Sequence, residues 1–214
     1  MKTRITIVAL VSFCFATAQE VPVVPVEAVE AEVNSAKGVT FKEGDMFIEG
    51  GISFTTTDGG DSFSINPKFG YFLSDKLAVG GDIDWSQTRQ DINDAEYNTF
   101  GIGGFARYYF LETDHKRFKA YTDVGLGYSH ATEEYDEIDG TRIDDTSNGI
   151  KANVTIGLNY FITNQIAATF VLADILTYNN TSPENGDSTS SFELNINLFN
   201  NIFAQPKFGL LYKF

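Results

Sequence analysis

The chain has 214 residues, of which 29 are acidic, 15 are basic and one is a cysteine. A formal net charge of −14 argues against nucleic acid as a partner, and a single cysteine excludes a disulfide within the chain. Nineteen phenylalanines, ten tyrosines and 19 glycines beside five prolines fit aromatic β-strands joined by tight turns, a composition that a soluble β-sandwich would share.

The first 18 residues have the pattern of a secretory signal peptide. Lys2 and Arg4 form a basic start, residues 5–15 are apolar, and residues 16–18 fit the small-x-small cleavage signature. The apolar stretch is shorter than the roughly 20 residues that a transmembrane helix needs. Cleavage after residue 18 would also remove Cys14, which leaves no thiol for catalysis or for a metal site.

Residues 19–43 are rich in Val, Pro, Ala and Glu and follow no clean period of 2 or 3.6. This composition predicts an extended or disordered periplasmic segment. We therefore expect three regions, a signal peptide at 1–18, a flexible periplasmic segment at 19–43 and a β-barrel domain at 44–214.

From Gly44 onward the sequence is a succession of segments with period 2. In one of them Ile150 and Val154 share a face, and Lys151 and Asn153 share the other. Apolar residues on one face and polar residues on the other are typical of strands in a transmembrane barrel. We predict eight strands, at roughly 44–57, 62–73, 77–89, 97–111, 118–132, 149–161, 165–178 and a last one that ends at 214.

The predicted connections alternate in length. Those at 74–76, 112–117 and 162–164 are short, whereas 133–148 and 179–189 are long and polar. Bacterial barrels have short periplasmic turns and longer extracellular loops. The pattern therefore places both termini in the periplasm and the two long loops at the cell surface.

The alternation weakens towards the end of the chain. It is clean in 191–199, but Asn200 and Asn201 interrupt it and Pro206 follows, and proline is tolerated only at the ends, edges or bulges of strands. Residues 191–199 belong either to a long, bulged eighth strand or to a separate extracellular arm.

The chain ends in an aromatic-faced strand, in which Phe208 and the last residue, Phe214, share a face. This ending resembles the small outer-membrane β-barrel domain proteins of Gram-negative bacteria, the OmpX and OmpA-barrel types. The resemblance covers about residues 44–214. Beside the ending 208–214 (FGLLYKF), it rests on the segments 41–45 (FKEGD), 69–72 (FGYF) and 74–80 (SDKLAVG).

The resemblance implies an all-β fold, an eight-stranded antiparallel up-and-down transmembrane β-barrel, in the bacterial outer membrane. It also implies that Leu210, Tyr212 and Phe214 form part of the C-terminal signal that the outer-membrane assembly machinery reads. The remaining expected partners are outer-membrane lipid and lipopolysaccharide, with the barrel as a monomer, and the sequence identifies no surface ligand.

Eight charged residues fall on the predicted lumen face of the barrel. Side chains fill the interior of an eight-stranded barrel, and charges confined there must pair, since unpaired buried charge is costly. We predict a salt-bridge network that plugs the barrel, with a path for protons or solutes as the alternative. The eight residues are Glu49, Lys68, Asp82, Asp84, Arg107, Asp123, Lys151 and Lys207.

Three other features have ordinary structural explanations. His130 lies beside hydroxyl residues but has no visible acidic partner, so we predict no catalytic site. The seven carboxylates of 133–145 suit either a solvated loop or divalent cations, and we expect no metal or other cofactor. Aromatic residues near strand ends, among them Phe72, Tyr109 and Phe161, predict girdles at the membrane interface.

The expected function is a structural or surface-interaction role for a barrel with a plugged polar interior. Transport of a small or hydrophobic solute across the outer membrane is the alternative. A lipid-modifying outer-membrane enzyme is a third possibility, because such enzymes exist on small barrels.

Overall fold

A computed structural model describes residues 26–90, 95–113, 115–136, 142–194 and 207–214. The chain divides into two units, Met1–Glu32 and Val33–Phe214. Helix α1, Val26–Ser35, begins in the first unit, where its residues are exposed, and ends in the second. Alanine and glutamate, which favour helices, make up half of it. Residues 26–35 are therefore helical, although the sequence predicted an extended or disordered segment there.

The described residues of the second unit form nine antiparallel strands. Strong period-2 alternation and β-branched or aromatic residues favour strands over helices throughout this region. The strands are β1 Met46–Thr57, β2 Gly60–Phe72, β3 Leu77–Gln90, β4 Ala95–Thr113, β5 Phe118–Asp136, β6 Arg142–Phe161, β7 Ile166–Pro183, β8 Thr189–Leu194 and β9 Lys207–Lys213.

The strands close into a ring. Each strand from β1 to β7 pairs with the next one along the chain, and β9 pairs with both β7 and β1. Met46 and Phe214 make the final link through two backbone hydrogen bonds of 3.0 and 2.9 Å. Because β8 and β9 lie along the same edge of β7, they share the eighth position of the ring. The predicted eight-stranded antiparallel barrel is confirmed.

The two faces of the strands differ in burial as the alternation predicts. In β1, Phe47 is 0% exposed and Glu49 is 4% exposed, whereas Ile52 is 75% exposed and Phe54 is 69% exposed. Apolar side chains therefore cover the outside of the ring, and the buried residues, polar ones included, lie in the lumen.

Strands β5 and β6 extend further than the sequence predicted. Glu133 pairs with Asp145 and Asp136 pairs with Arg142, so the predicted long loop at 133–148 is for the most part a continued hairpin. Likewise, β7 runs on to Pro183 inside the predicted loop at 179–189. These strand ends are mostly polar, so no regular apolar period marks them in the sequence.

The eighth position shows why the last strand was ambiguous. β8 pairs with Leu176–Thr181 of β7, and β9 pairs with Ile166–Val171. Twelve residues, 195–206, separate β8 from β9 along the chain, whereas only four residues of β7, 172–175, lie between the two paired segments. Residues 191–194 pair with β7, but β8 has no second partner strand among the described residues and all six of its residues are exposed. Residues 195–199 lie outside the described residues, so the choice between a bulged strand and an extracellular arm stays open.

Candidate functional site

Arg107 of β4 is completely buried in the lumen and is held by two carboxylates. Asp123, its neighbour on β5, accepts hydrogen bonds from Nε at 2.7 Å and from Nη2 at 2.8 Å. Glu49 of β1 accepts from Nη1 at 2.6 Å and from Nη2 at 3.0 Å. Paired bonds between a guanidinium and a carboxylate are among the strongest in proteins. Arg107 thus ties β1 to β4 across the lumen, and we call these residues with Lys68 the Arg107 network.

Lys68 and aromatic rings complete the surroundings of this arginine. The Nζ atom of Lys68 lies 3.6 Å from Asp123 Oδ2, so two cations face two carboxylates. The guanidinium carbon of Arg107 lies 3.8 Å from the centre of the Tyr121 ring and 5.2 Å from that of Phe47. These distances allow cation–π attraction. The charges of the two cations and the two carboxylates therefore balance, and only Lys68 of the four is partly exposed.

Neutral hydrogen bonds extend the network towards β6 and β7. The Tyr109 hydroxyl donates to Asn159 Oδ1 at 2.9 Å, and the Asn159 amide donates to Thr169 Oγ1 at 2.9 Å. Thr169 Oγ1 in turn lies 3.4 Å from Glu49 Oε2. Every buried side-chain nitrogen and oxygen among the described residues has a hydrogen-bond partner. The network therefore satisfies the polar atoms that it buries.

An aromatic layer lies at the end of the lumen where the chain enters and leaves the ring. Phe41, which precedes β1, stacks on Phe72 with ring centres 4.1 Å apart, and it lies 4.7 Å from Tyr109 and 5.8 Å from Phe161. All four side chains are buried. Phe72, Tyr109 and Phe161 face the lumen, so the prediction that they form membrane-interface girdles is wrong for these three.

Residues 35–42 hold Phe41 in place. Ala36 and Val39 are buried with it, although the sequence predicted a flexible segment here. Gly38 donates a backbone hydrogen bond to His115 O at 2.6 Å, and Ser35 Oγ accepts one from the Asn164 backbone at 3.2 Å. Both acceptor and donor lie in turns at this end of the ring. We call residues 36–41 with the aromatic layer the Phe41 closure.

A second ion pair, with a buried lysine, escaped the sequence analysis. Lys119 is completely buried and donates to Glu112 Oε1 at 2.7 Å. Strict alternation places Glu112 on the outer face, but the register of β4 against β5 shifts between Tyr109 and Leu111. Such a bulge reverses the facing of the residues beyond it. In the sequence, the only indication of this ion pair was that alternation places Lys119 on the lumen face of β5.

The other half of the lumen contains an open cavity of about 640 Å³. Its lining includes Asp82, Asp84 and Lys151 from the predicted lumen set. Asn66 donates to Asp84 Oδ1 at 2.7 Å. The side chain of Lys207 lies outside the described residues. The structure thus brings Glu49, Lys68, Arg107 and Asp123 into one network, and it places the other three described charges around the cavity.

A family model for the outer membrane protein beta-barrel domain matches residues 6–210. The chain belongs to this family. Solved structures of similar proteins include Neisserial surface protein A, at 17% identity over 79% of this chain and 96% of that one with a TM-score of 0.41. Ail, the attachment invasion locus protein of Yersinia pestis, is 14% identical over 80% of this chain and 99% of its own, with a TM-score of 0.45. A search of curated proteins finds no match.

Membership of the outer-membrane barrel family places the protein in the bacterial outer membrane. The exposed apolar side chains on the outside of the ring are then the surface that contacts lipid. Leu210, Tyr212 and Phe214 lie on that face, and their role in assembly remains a prediction. The signal peptide also remains a prediction, since residues 1–18 lie outside the described residues. No helix in the described part of the chain is both long and apolar enough to span a membrane.

His130 and the acidic hairpin of this outer-membrane barrel lie at the far ends of the strands. The Nδ1 atom of His130 lies 3.0 Å from Asn148 Oδ1, which also accepts from the Tyr128 hydroxyl at 2.6 Å. An amide therefore occupies the place that an acidic partner would take in a catalytic pair. Among the described residues, no group of three or more His, Cys, Asp or Glu could hold a metal ion.

Proposed function

We propose that this outer-membrane barrel is closed to ions and solutes in its periplasmic half and has a structural or surface-interaction role. The observation that carries the proposal is a pair of closures in series. The Arg107 network crosses the lumen, and the Phe41 closure fills the end beyond it. An eight-stranded barrel has room for only one layer of side chains at each level.

Opening a path for solutes through these two closures would cost free energy. Moving Arg107 away would leave the buried Glu49 without its ion-pair partner and Asp123 with Lys68 alone, and a broken buried pair costs roughly 3–5 kcal/mol. Moving Phe41 would expose apolar surface that four aromatic rings now bury together. Both costs favour a permanent plug over a channel.

The proposed partners follow from the outer surface. Lipid and lipopolysaccharide contact the apolar band, and the assembly machinery inserts the barrel. A monomer is consistent with the pairing of β1 with β9, because a closed ring leaves no strand edge there for a second copy.

Single-channel recording in planar bilayers tests the closure. We expect no conductance from the refolded protein, and none from Phe41→Ala or Arg107→Ala alone, because each variant keeps one closure. The double variant is expected to conduct. Steady conductance from the unmodified protein would contradict the proposal.

The outer cavity is the one observation that favours transport of a small solute instead. Its floor is the Arg107 network, with Glu49, Lys68, Asp123 and Thr169 in its lining. Transport would require that floor to open, and a conducting unmodified barrel would support this alternative.

A further inference from the structure

We infer that the outer cavity binds a small zwitterion, an organic molecule with an ammonium group at one end and an anionic group at the other. The cavity volume of about 640 Å³ lies within the range of roughly 300–1,000 Å³ that is typical of small-molecule sites. Its floor is closed by the Arg107 network, so the inference rests on that part of the proposed function.

One wall carries the negative charge. Asp82 and Asp84 lie two residues apart on β3 and line the cavity. The backbone of β4 accommodates them, because a Cβ at Gly103 would lie 2.8 Å from Asp82 Oδ1 and a Cβ at Gly101 would lie 3.3 Å from Asp84 Cβ. The hydrogen-bond donor to Asp84 is the neutral Asn66.

The nearest cation, Lys68, lies opposite Asp82 in the register of β2 against β3, and it offsets only part of the charge of the two carboxylates. Lys68 forms its ion pair with Asp123 of the Arg107 network. Two neighbouring carboxylates inside a barrel attract a cation strongly, because the lumen screens charge less than bulk water does. An ammonium group, which donates several hydrogen bonds, suits this pair.

The positive charge lies on another wall, at the same level of the sheet. Asp82 is paired with Gly103, Gly103 with Gly127, and Gly127 with Lys151 of β6. Three strand spacings of about 4.8 Å therefore separate Asp82 from Lys151 along the wall. The two residues between them are glycines, so no side chain fills the space. A ligand with opposite charges at its ends would match this arrangement.

A bare metal ion and a simple cation fit the cavity less well. The described residues include no cluster of three metal-binding side chains, and a simple cation would leave Lys151 without a counterpart. A diamine would place its second ammonium group against Lys151, unless Asp174, another carboxylate of the lining, received it. The choice of probes separates these cases.

The test uses the refolded full-length protein in detergent and titrates linear ω-amino acids of increasing chain length. Isothermal titration calorimetry detects binding and gives the affinity. Alkylamines, carboxylates and diamines of matched length are the comparison probes. We expect one ω-amino acid to bind about tenfold or more tightly than each comparison probe, since each of these lacks one matched charge-assisted contact.

Two variants assign the two ends of the ligand, and two matched variants are controls. Asp84→Asn and Lys151→Met are each expected to weaken binding about tenfold, and Lys151→Met also removes the preference over the alkylamine. Asp75→Asn and Lys76→Met, which change the same residue types in the turn before β3, should leave affinity unchanged.

Two outcomes would overturn the inference. One is tighter binding of the diamine than of any ω-amino acid. The other is no saturable binding by protein that migrates as a folded, heat-modifiable barrel. A conducting unmodified protein would instead refute the closed floor, and the titration with unmodified protein would still decide on the zwitterion.

Discussion

At the residue scale, a buried arginine with two carboxylates determines what the lumen can do. The sequence identified Glu49, Arg107 and Asp123 as inward-facing because alternation assigns each residue to a face. It did not show that Glu49, 58 positions from Arg107 along the chain, is the second bidentate partner. That contact depends on how the ring closes, since β1 and β4 are not neighbours in the sheet.

Replacing Arg107 by alanine should destabilise the barrel by roughly 3–5 kcal/mol, because two carboxylates lose their buried counter-ion. Urea unfolding of the refolded barrel in detergent measures the effect. Arg89→Ala is the matched control. It breaks a single, more exposed pair with Glu96, for which about 0–1 kcal/mol is expected. Equal losses in the two variants would show that the Arg107 pairs contribute no more than a surface contact.

At the scale of elements, closures and bulges decide where side chains point. The extra residue in β4 brings Glu112 to Lys119, and the residues before β1 carry Phe41 beneath the Arg107 network. The terminal strand β9 completes the ring through the backbone of Phe214. One residue thus has two proposed roles, ring closure through its backbone and assembly through its side chain.

The two roles of Phe214 predict different behaviour for two variants. Deletion removes both the backbone link and the side chain, whereas Phe214→Ala keeps the link. If the side chain is part of the assembly signal, both variants should show reduced outer-membrane assembly and more periplasmic degradation, with export intact. Fractionation and immunoblotting measure this.

Phe208→Ala, on the same outer face, serves as the control for loss of an aromatic ring. Normal assembly of Phe214→Ala would show that the residue acts through ring closure alone.

At the scale of the whole molecule, the lumen has two unlike halves. One is filled by the Arg107 network and the Phe41 closure, and the other holds the open cavity. If the termini are periplasmic, the open half of the lumen faces the cell exterior and the filled half faces the periplasm. The orientation in the membrane therefore determines which molecules can reach the cavity.

Tag accessibility measures this orientation. A tag inserted between Asn185 and Gly186, in the turn between β7 and β8, should be labelled on intact cells. A tag at Asp75, in the turn between β2 and β3, should be labelled only after permeabilisation. The reverse pattern would place the cavity on the periplasmic side.

Much of this protein follows from the sequence, because a strand side chain can face only two ways. Period-2 alternation was sufficient for the barrel, for most strand positions and for the inward phase of the charged residues. The helix at 26–35, the polar extensions of β5 and β6 and the burial of Phe41 lacked that signal. Tertiary structure alone decided them, together with the partners of Arg107 and the space between Asp82 and Lys151. Each depends on contacts between residues far apart in the chain, and alternation along one strand carries no information about its neighbours across the lumen.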